Sequence, residues 1–103
     1  MKLLEGKTAI ITGGSRGIGK GIAELFADQG SHIIFTYVSS DEKARALESE
    51  LQAKGVKAKG YKFNVADFAA CEEMANDVVK EFGSIDVVVN NAGITRDNLL
   101  MRM

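Results

Sequence analysis

Lys7-Thr8-Ala9-Ile10-Ile11-Thr12-Gly13-Gly14-Ser15-Arg16-Gly17-Ile18-Gly19-Lys20-Gly21 is the stretch from which the fold is read. Residues 7–12 form a β-branched, apolar run that predicts a strand. Beyond the glycines, Ile18, Ile22, Leu25 and Phe26 recur at helical spacing and predict a helix with one apolar stripe. A glycine turn leading from a strand into a helix exposes backbone N–H groups at the positive end of the helix dipole, where phosphate binds. Glycine suits that turn because the chain must bend tightly and approach its ligand without a Cβ in the way.

Two ligand classes fit the spacing. Gly14-x4-Gly19-Lys20 is nearly a nucleotide triphosphate loop, but the next residue is Gly21 where Ser or Thr should hold magnesium. Gly13-x3-Gly17-x-Gly19 is instead a three-glycine dinucleotide loop, distinct from G-x-G-x-x-G because position 22 is Ile.

Outward from the turn, strands and helices alternate. Gly30 suits the end of the first helix, and residues 33–37 read as a second strand. Ser39, Ser40 or Asp41 can cap a second helix, with Ala44, Leu47 and Leu51 on one face and Gly55 near its end. Residues 58–65 read as a third strand, interrupted by lysine and glycine. Asp67 is a good N-cap for a third helix whose stripe is Cys71, Met74, Ala75, Val78, Val79 and Phe82, ended by Gly83. Residues 85–89 form a fourth strand. The order βαβαβαβ requires crossover connections, hence a parallel sheet in a doubly wound α/β fold of Rossmann type. Val87-Val88-Val89 shows no alternation, as expected of a strand covered on both faces. If nothing lies beside it, it is an apolar edge of the kind proteins avoid. Residues 95–103 start what reads as a helix of little length. The chain is therefore expected to be one incomplete domain over 1–103, the cofactor-binding portion of a longer fold.

Bulk properties narrow the function. The 103 residues are 46% hydrophobic and 26% charged, with a net charge of -1 and no proline. That balance fits a globular domain and offers no general attraction to nucleic acid or anionic membrane. No apolar run approaches the roughly 20 residues that span a bilayer. Residues 1–7 carry no signal-peptide pattern, and a single cysteine cannot form an internal disulfide; both point to the cytoplasm.

A second motif, Asn90-Asn91-Ala92-Gly93, stands at the end of the fourth strand. Ligands of this fold sit beyond the carboxyl ends of the strands, where the strand order reverses between the first and fourth. Small residues there keep the floor of the crevice open. Finding both motifs at strand ends that flank one crevice favours the dinucleotide.

Thr12-Gly13-x3-Gly17-x-Gly19 together with Asn90-Asn91-Ala92-Gly93 resembles the short-chain dehydrogenase/reductase family, over the whole chain. Within it, residues 90–103 are similar to the branch that reduces 3-oxoacyl thioesters on acyl carrier protein in bacterial fatty-acid synthesis. The resemblance implies NADP as cofactor and a homotetramer for the full-length enzyme. It implies that Gly13, Ser15, Arg16, Gly17, Ile18 and Gly19 contact the pyrophosphate and adenosine phosphate. It further implies Val38 near the ribose, Asn64 and Val65 at the adenine, and Asn90, Ala92, Gly93 and Ile94 along the crevice floor. Many relatives have Asp where this chain has Asn64.

The residues support NADP independently. The end of the second strand, Thr36-Tyr37-Val38-Ser39, lacks the acid that would hold the ribose hydroxyls of NAD and repel a 2′-phosphate. Arg16 can offer a cationic fork to that phosphate.

The family's proton donor is a tyrosine with a lysine four residues later, acting beside a serine. Here Asp41 follows Tyr37 at that offset and Val65 follows Tyr61, so no residue is assigned as catalytic. His32 reads as a surface residue and Cys71 as core packing; Met101 and Met103 read as the start of a helix against another subunit. No Cys/His cluster with metal spacing is present. Two other functions compete: a non-catalytic dinucleotide-binding module, and a nucleoside triphosphatase built on the near-match loop.

Overall fold

A computed structural model describes residues 3–13, 17–39, 41–64, 66–90 and 100–102. Strand β1 (Thr8–Ile11) leads into helix α1 (Gly17–Asp28), and β2 (His32–Tyr37) into α2 (Asp41–Gln52). Strand β3 (Ala58–Lys62) is followed by α3 (Phe68–Phe82), β4 (Val87–Asn90) and β5 (Leu100–Arg102). The sheet order is β3-β2-β1-β4-β5. The first three neighbouring pairs are parallel, with Ile10 of β1 level with Ile34 of β2 and Val88 of β4. This is the doubly wound α/β arrangement that the alternating elements require.

Strands β1, β2 and β4 divide their side chains between two cores. On one face Ala9, Ile11, Ile33, Phe35, Tyr37, Val87 and Val89 pack beneath α1 and α2. On the other, Ile10 and Ile34 meet Met74 and Val78 of α3, with Phe82, Ile85 and Val88 around them. Cover on both faces is why β1 is buried along its whole length and why its sequence does not alternate.

Helix α1 departs from the expected stripe. The residues it buries are Gly19, Ala23 and Ala27, four apart, with Ile22 and Phe26 at their flanks. Ile18 is 67% exposed and Leu25 58%. The spacing found the helix but ranked its faces by side-chain size. The small residues let the backbone of α1 lie close to the sheet, so the larger ones are displaced to the shoulders.

Helices α2 and α3 follow the sequence more closely. Ala44, Leu47 and Leu51 are the buried face of α2. Asp67 caps α3 by accepting the Ala70 N–H, and Gly83 closes it with φ 91°, a left-handed value that glycine adopts at no steric cost. Met74 and Val78 are buried, while Cys71 is half-buried and Val79 exposed.

Strand β3 is shorter than expected, ending at Lys62, and it is an edge of the sheet. Its outward backbone groups are met by α2: Glu48 Oε2 accepts the Gly60 N–H at 2.6 Å, and Gln52 Nε2 donates to the Ala58 carbonyl at 3.1 Å.

The other end of the sheet corrects the sequence reading. Residues 100–102 are not helical; they form β5, antiparallel to β4, with Val89 level with Met101 and Asn90 with Leu100. The helical fragment expected over 95–103 is too short to hold itself together, whereas the open row of N–H and C=O groups on β4 offers pairing at once. Strand β4 is therefore not an edge, and Met101 lies in a strand; Met103 falls outside the described residues. No helix among the described residues is long and apolar enough to cross a membrane.

Candidate functional site

The glycine turn grows directly from the parallel core. Past the end of β1, the Thr12 N–H donates to the Val89 carbonyl at 3.0 Å, tying the chain to β4. One residue on, the Gly13 N–H donates to Thr36 Oγ1 at 3.0 Å, tying it to β2. Thr36 is 1% exposed, so this bond is shielded and fixes the start of the turn against the neighbouring strand. Gly13 and Gly17 both have left-handed backbones, φ 67° and 63°, which explains glycine at these two positions.

A Cβ on Gly17 would meet nothing within 4 Å, so its obligation is conformational and the space beside it is open. Helix α1 begins at this residue and carries no acidic side chain in its first turn. A helix start without an acid in its first turn leaves its N–H groups free of competing negative charge from that turn, which favours phosphate there. Gly19 is buried against the sheet, and Ile18 is exposed at the mouth of the turn. Gly14, Ser15 and Arg16 lie outside the described residues.

At the end of β2 the chain turns outward at Val38, which is 64% exposed. Tyr37 before it is buried, with its ring near Phe35 and its hydroxyl accepting from the Arg45 guanidinium at 3.0 Å. Arg45 in turn pairs with Glu48, so the end of β2 is braced by α2. Positions 36–39 carry no acid; Asp41, which opens α2, pairs with Lys62 at the end of β3 at 3.2 Å. Past β3, Asn64 is exposed; its side-chain Oδ1 accepts the Ala66 N–H at 2.9 Å and its backbone carbonyl accepts the Asp67 N–H at 2.8 Å. Val65 lies outside the described residues.

On the other side, Asn90 ends β4 in register with Leu100 of β5. Ala92, Gly93 and Ile94, expected along the crevice floor, lie outside the described residues. The structure thus brings Gly13, Gly17, Ile18, Gly19, Val38, Asn64 and the backbone of Asn90 to the carboxyl ends of the parallel strands.

Sequence reasoning passed over Thr36. Its signal was a lone hydroxyl in a run of buried strand residues, Ile33-Ile34-Phe35-Thr36-Tyr37, where a polar group needs a partner. His32 was also misjudged as merely surface. Its Nδ1 accepts the Lys57 N–H at 3.0 Å, and its ring tilts against Phe82 with 6.0 Å between centroids. It staples the starts of β2 and β3 to the end of α3, at the opposite end of the sheet from the glycine turn.

Asp86, before β4, lies at that same far end. Its Oδ2 accepts the Thr8 N–H at 2.9 Å and the Ser84 hydroxyl at 3.1 Å, which together hold its carboxyl below the usual carboxylate range. Lys59 beside Glu81 and Lys54 beside Asp28 are held above the usual lysine value by those hydrogen-bonded carboxylates. Among the described residues no three His, Cys, Asp or Glu come together as a metal site. The arrangement suits a phosphate-bearing ligand at the strand ends: left-handed glycines at 13 and 17, a first turn of α1 without acid, and no acid at positions 36–39.

Comparison with known proteins agrees. A family model described as short chain dehydrogenase matches residues 7–103. The 3-oxoacyl-[acyl-carrier-protein] reductase FabG of Staphylococcus aureus (strain Mu50) is 53% identical over 97 residues, 94% of this chain and 39% of that protein. Its counterpart from Escherichia coli (strain K12) is 50% identical over 99 residues, 96% of this chain and again 39% of the relative. A solved short chain dehydrogenase from Burkholderia cenocepacia J2315, in complex with NADP, is 40% identical with a TM-score of 0.84, covering 94% of this chain and 41% of that one. The chain thus spans about two fifths of the length of the curated relatives it matches. On these grounds the chain belongs to the short-chain dehydrogenase family.

Proposed function

We propose that this chain binds NADPH and forms the cofactor-holding part of a reductase acting on a 3-oxoacyl thioester of acyl carrier protein. The observation that carries the reading is the Gly13–Thr36 hydrogen bond. It fixes Gly13, a left-handed glycine, against β2 just before α1, whose first turn carries no acid, and positions 36–39 carry none either. The 53% identity to a reductase of that substrate class, and the solved relative holding NADP, favour the same reading.

The residues have distinct parts. Gly17 and the first turn of α1 receive the pyrophosphate, with Gly19 keeping the helix close to the sheet. Arg16 and Ser15 bind the adenosine phosphate, Val38 packs beside the ribose, and Asn64 with Val65 holds the adenine. Asn90, Ala92, Gly93 and Ile94 line the floor toward the nicotinamide. When bound, the cofactor supplies the hydride. Neither Tyr37 nor Tyr61 has a lysine four residues on, so the chain contributes binding and orientation and no proton donor. We place the enzyme in the cytoplasm and its full-length form in a homotetramer, as the resemblance implies.

Titration of the chain with NADPH, NADH and magnesium ATP tests the proposal, with nicotinamide fluorescence and calorimetry as readouts. The expected order is NADPH tightest, then NADH, with ATP weakest. Tighter binding of ATP than of NADPH would overturn it and favour the triphosphate reading of the loop.

A further inference from the structure

Four residues from three elements close a circuit of contacts behind the end of β2. The Gly60 N–H of β3 donates to Glu48 Oε2 at 2.6 Å, and Glu48 Oε1 pairs with Arg45 Nε at 3.3 Å. Arg45 Nη2 donates in turn to the Tyr37 hydroxyl at 3.0 Å, with the guanidinium carbon 6.0 Å from the centre of the Tyr37 ring. A guanidinium suits this bridge, because its planar fork presents donors to two acceptors at a fixed spacing. Gly60 completes the circuit by having no side chain: a Cβ there would lie 2.7 Å from Phe35 Cζ and 3.2 Å from Tyr37 Cε1. Tyr37 is 7% exposed and is the last residue of β2, so the strand end is held from α2 and β3 together. Thr36, whose side chain points to the opposite face of the strand, ties β2 to the glycine turn instead.

We infer that the Tyr37–Arg45 contact is a positioning device for cofactor choice: it holds the end of β2 where the 2′-phosphate is recognised, and so favours NADPH over NADH. The inference rests on the proposed function and deepens it. In that reading the two anchors of β2 serve different parts of the ligand. Thr36 steadies the glycine turn, which receives the pyrophosphate, a group common to both cofactors. Tyr37 steadies the strand end, from which the chain emerges at Val38 beside the adenosine ribose. NADPH and NADH differ only in the phosphate on that ribose. Displacing the turn therefore weakens both cofactors together, whereas displacing the strand end removes preorganisation that NADPH alone uses. Arg45 acts through Tyr37 rather than by touching the cofactor, and Glu48 holds it there.

The test measures dissociation constants for NADPH and NADH by nicotinamide fluorescence. The chain as it stands is compared with Tyr37→Phe, Arg45→Met, their double variant and Thr36→Val, each checked for folding by urea denaturation. Tyr37→Phe keeps the aromatic ring and removes only the hydroxyl. It should weaken NADPH about two- to tenfold, the range of one net hydrogen bond, and change NADH by less than about twofold. Arg45→Met should do the same, and the double variant should be no worse than either, because all three break one link. Thr36→Val should weaken both cofactors alike. A ratio of NADPH to NADH affinity unmoved by Tyr37→Phe would overturn the inference and leave the proposed function standing. Losses from Tyr37→Phe and Arg45→Met that add in the double variant would also overturn it, by showing that Arg45 meets the phosphate itself. Failure of the unaltered chain to bind either cofactor would remove the proposed function, and the inference with it.

Discussion

Thr36 holds the glycine turn through a single oxygen, and it is almost wholly shielded from water. Thr36→Val keeps the volume and β-branching but leaves the Gly13 N–H without its acceptor. Loss of that hydrogen bond should cost about 0.5–1.5 kcal/mol, read as a lower denaturant midpoint with an unchanged slope. The turn should also lose its shape, so NADPH affinity should fall, whereas Thr36→Ser should retain most of both. Arg16→Ala tests the 2′-phosphate assignment: removing a charged hydrogen-bond partner should weaken NADPH roughly 10- to 100-fold and leave NADH nearly unchanged. Equal losses would show that Arg16 does not read that phosphate. At the far end, Asp86 has a lowered folded-state value, so its charged form favours the folded state. Its contribution is complete above the ordinary carboxylate value of about 3.9 and disappears as the pH falls through the lower folded value. The stability gap between the chain and Asp86→Asn should therefore be constant near neutrality and close in acid; a gap that persists at low pH would refute this linkage.

At the scale of elements, α2 does two jobs with two faces. Its apolar side anchors the domain, and Leu47→Ala should cost about 2–5 kcal/mol as a fully buried leucine whose removal leaves a cavity. Its other side stands in for a missing strand, with Glu48 and Gln52 occupying the outward groups of β3 that would otherwise template another chain. The double substitution Glu48→Ala, Gln52→Ala should raise aggregation in light scattering more than it lowers the unfolding midpoint. Helices α2 and α3 were legible from spacing because large apolar residues form their buried faces and Asp67 and Gly83 mark the ends of α3. Helix α1 was legible as a helix and misread as a face, since close packing selected its small residues. Strand β5 was not legible at all: its pairing is set by the open side of β4, a tertiary fact that local propensity does not contain.

For the molecule as a whole, the parallel order was readable because strands separated by helices leave few ways to connect them. The strand-end residues were readable because glycines and asparagines stand out against apolar strands. What spacing could not supply was the brace behind them: Thr36 under the turn, and Tyr37, Arg45 and Glu48 behind the end of β2. These are ordinary residues whose role arises only from neighbours distant in sequence. Bound cofactor should stabilise the folded chain by mass action, about 2.7 kcal/mol at a free concentration one hundred times its dissociation constant. Thermal unfolding should accordingly shift upward with NADPH in a concentration-dependent way, and a midpoint indifferent to NADPH would count against the proposed site.

The first residues of the chain bear on how the protein can be handled. The Leu4 N–H donates to the Gln29 carbonyl, Leu3 to its side chain, and Gly30 lies so close to Glu5 that a Cβ would come within 2.8 Å of the Glu5 Cα. This segment latches the carboxyl end of α1, whose other end forms the glycine turn. An affinity tag joined ahead of Leu3 leaves the latch intact. Trimming through Glu5 would release it, and limited proteolysis should then cut first around Gln29 and Gly30, far along the chain from the site of trimming.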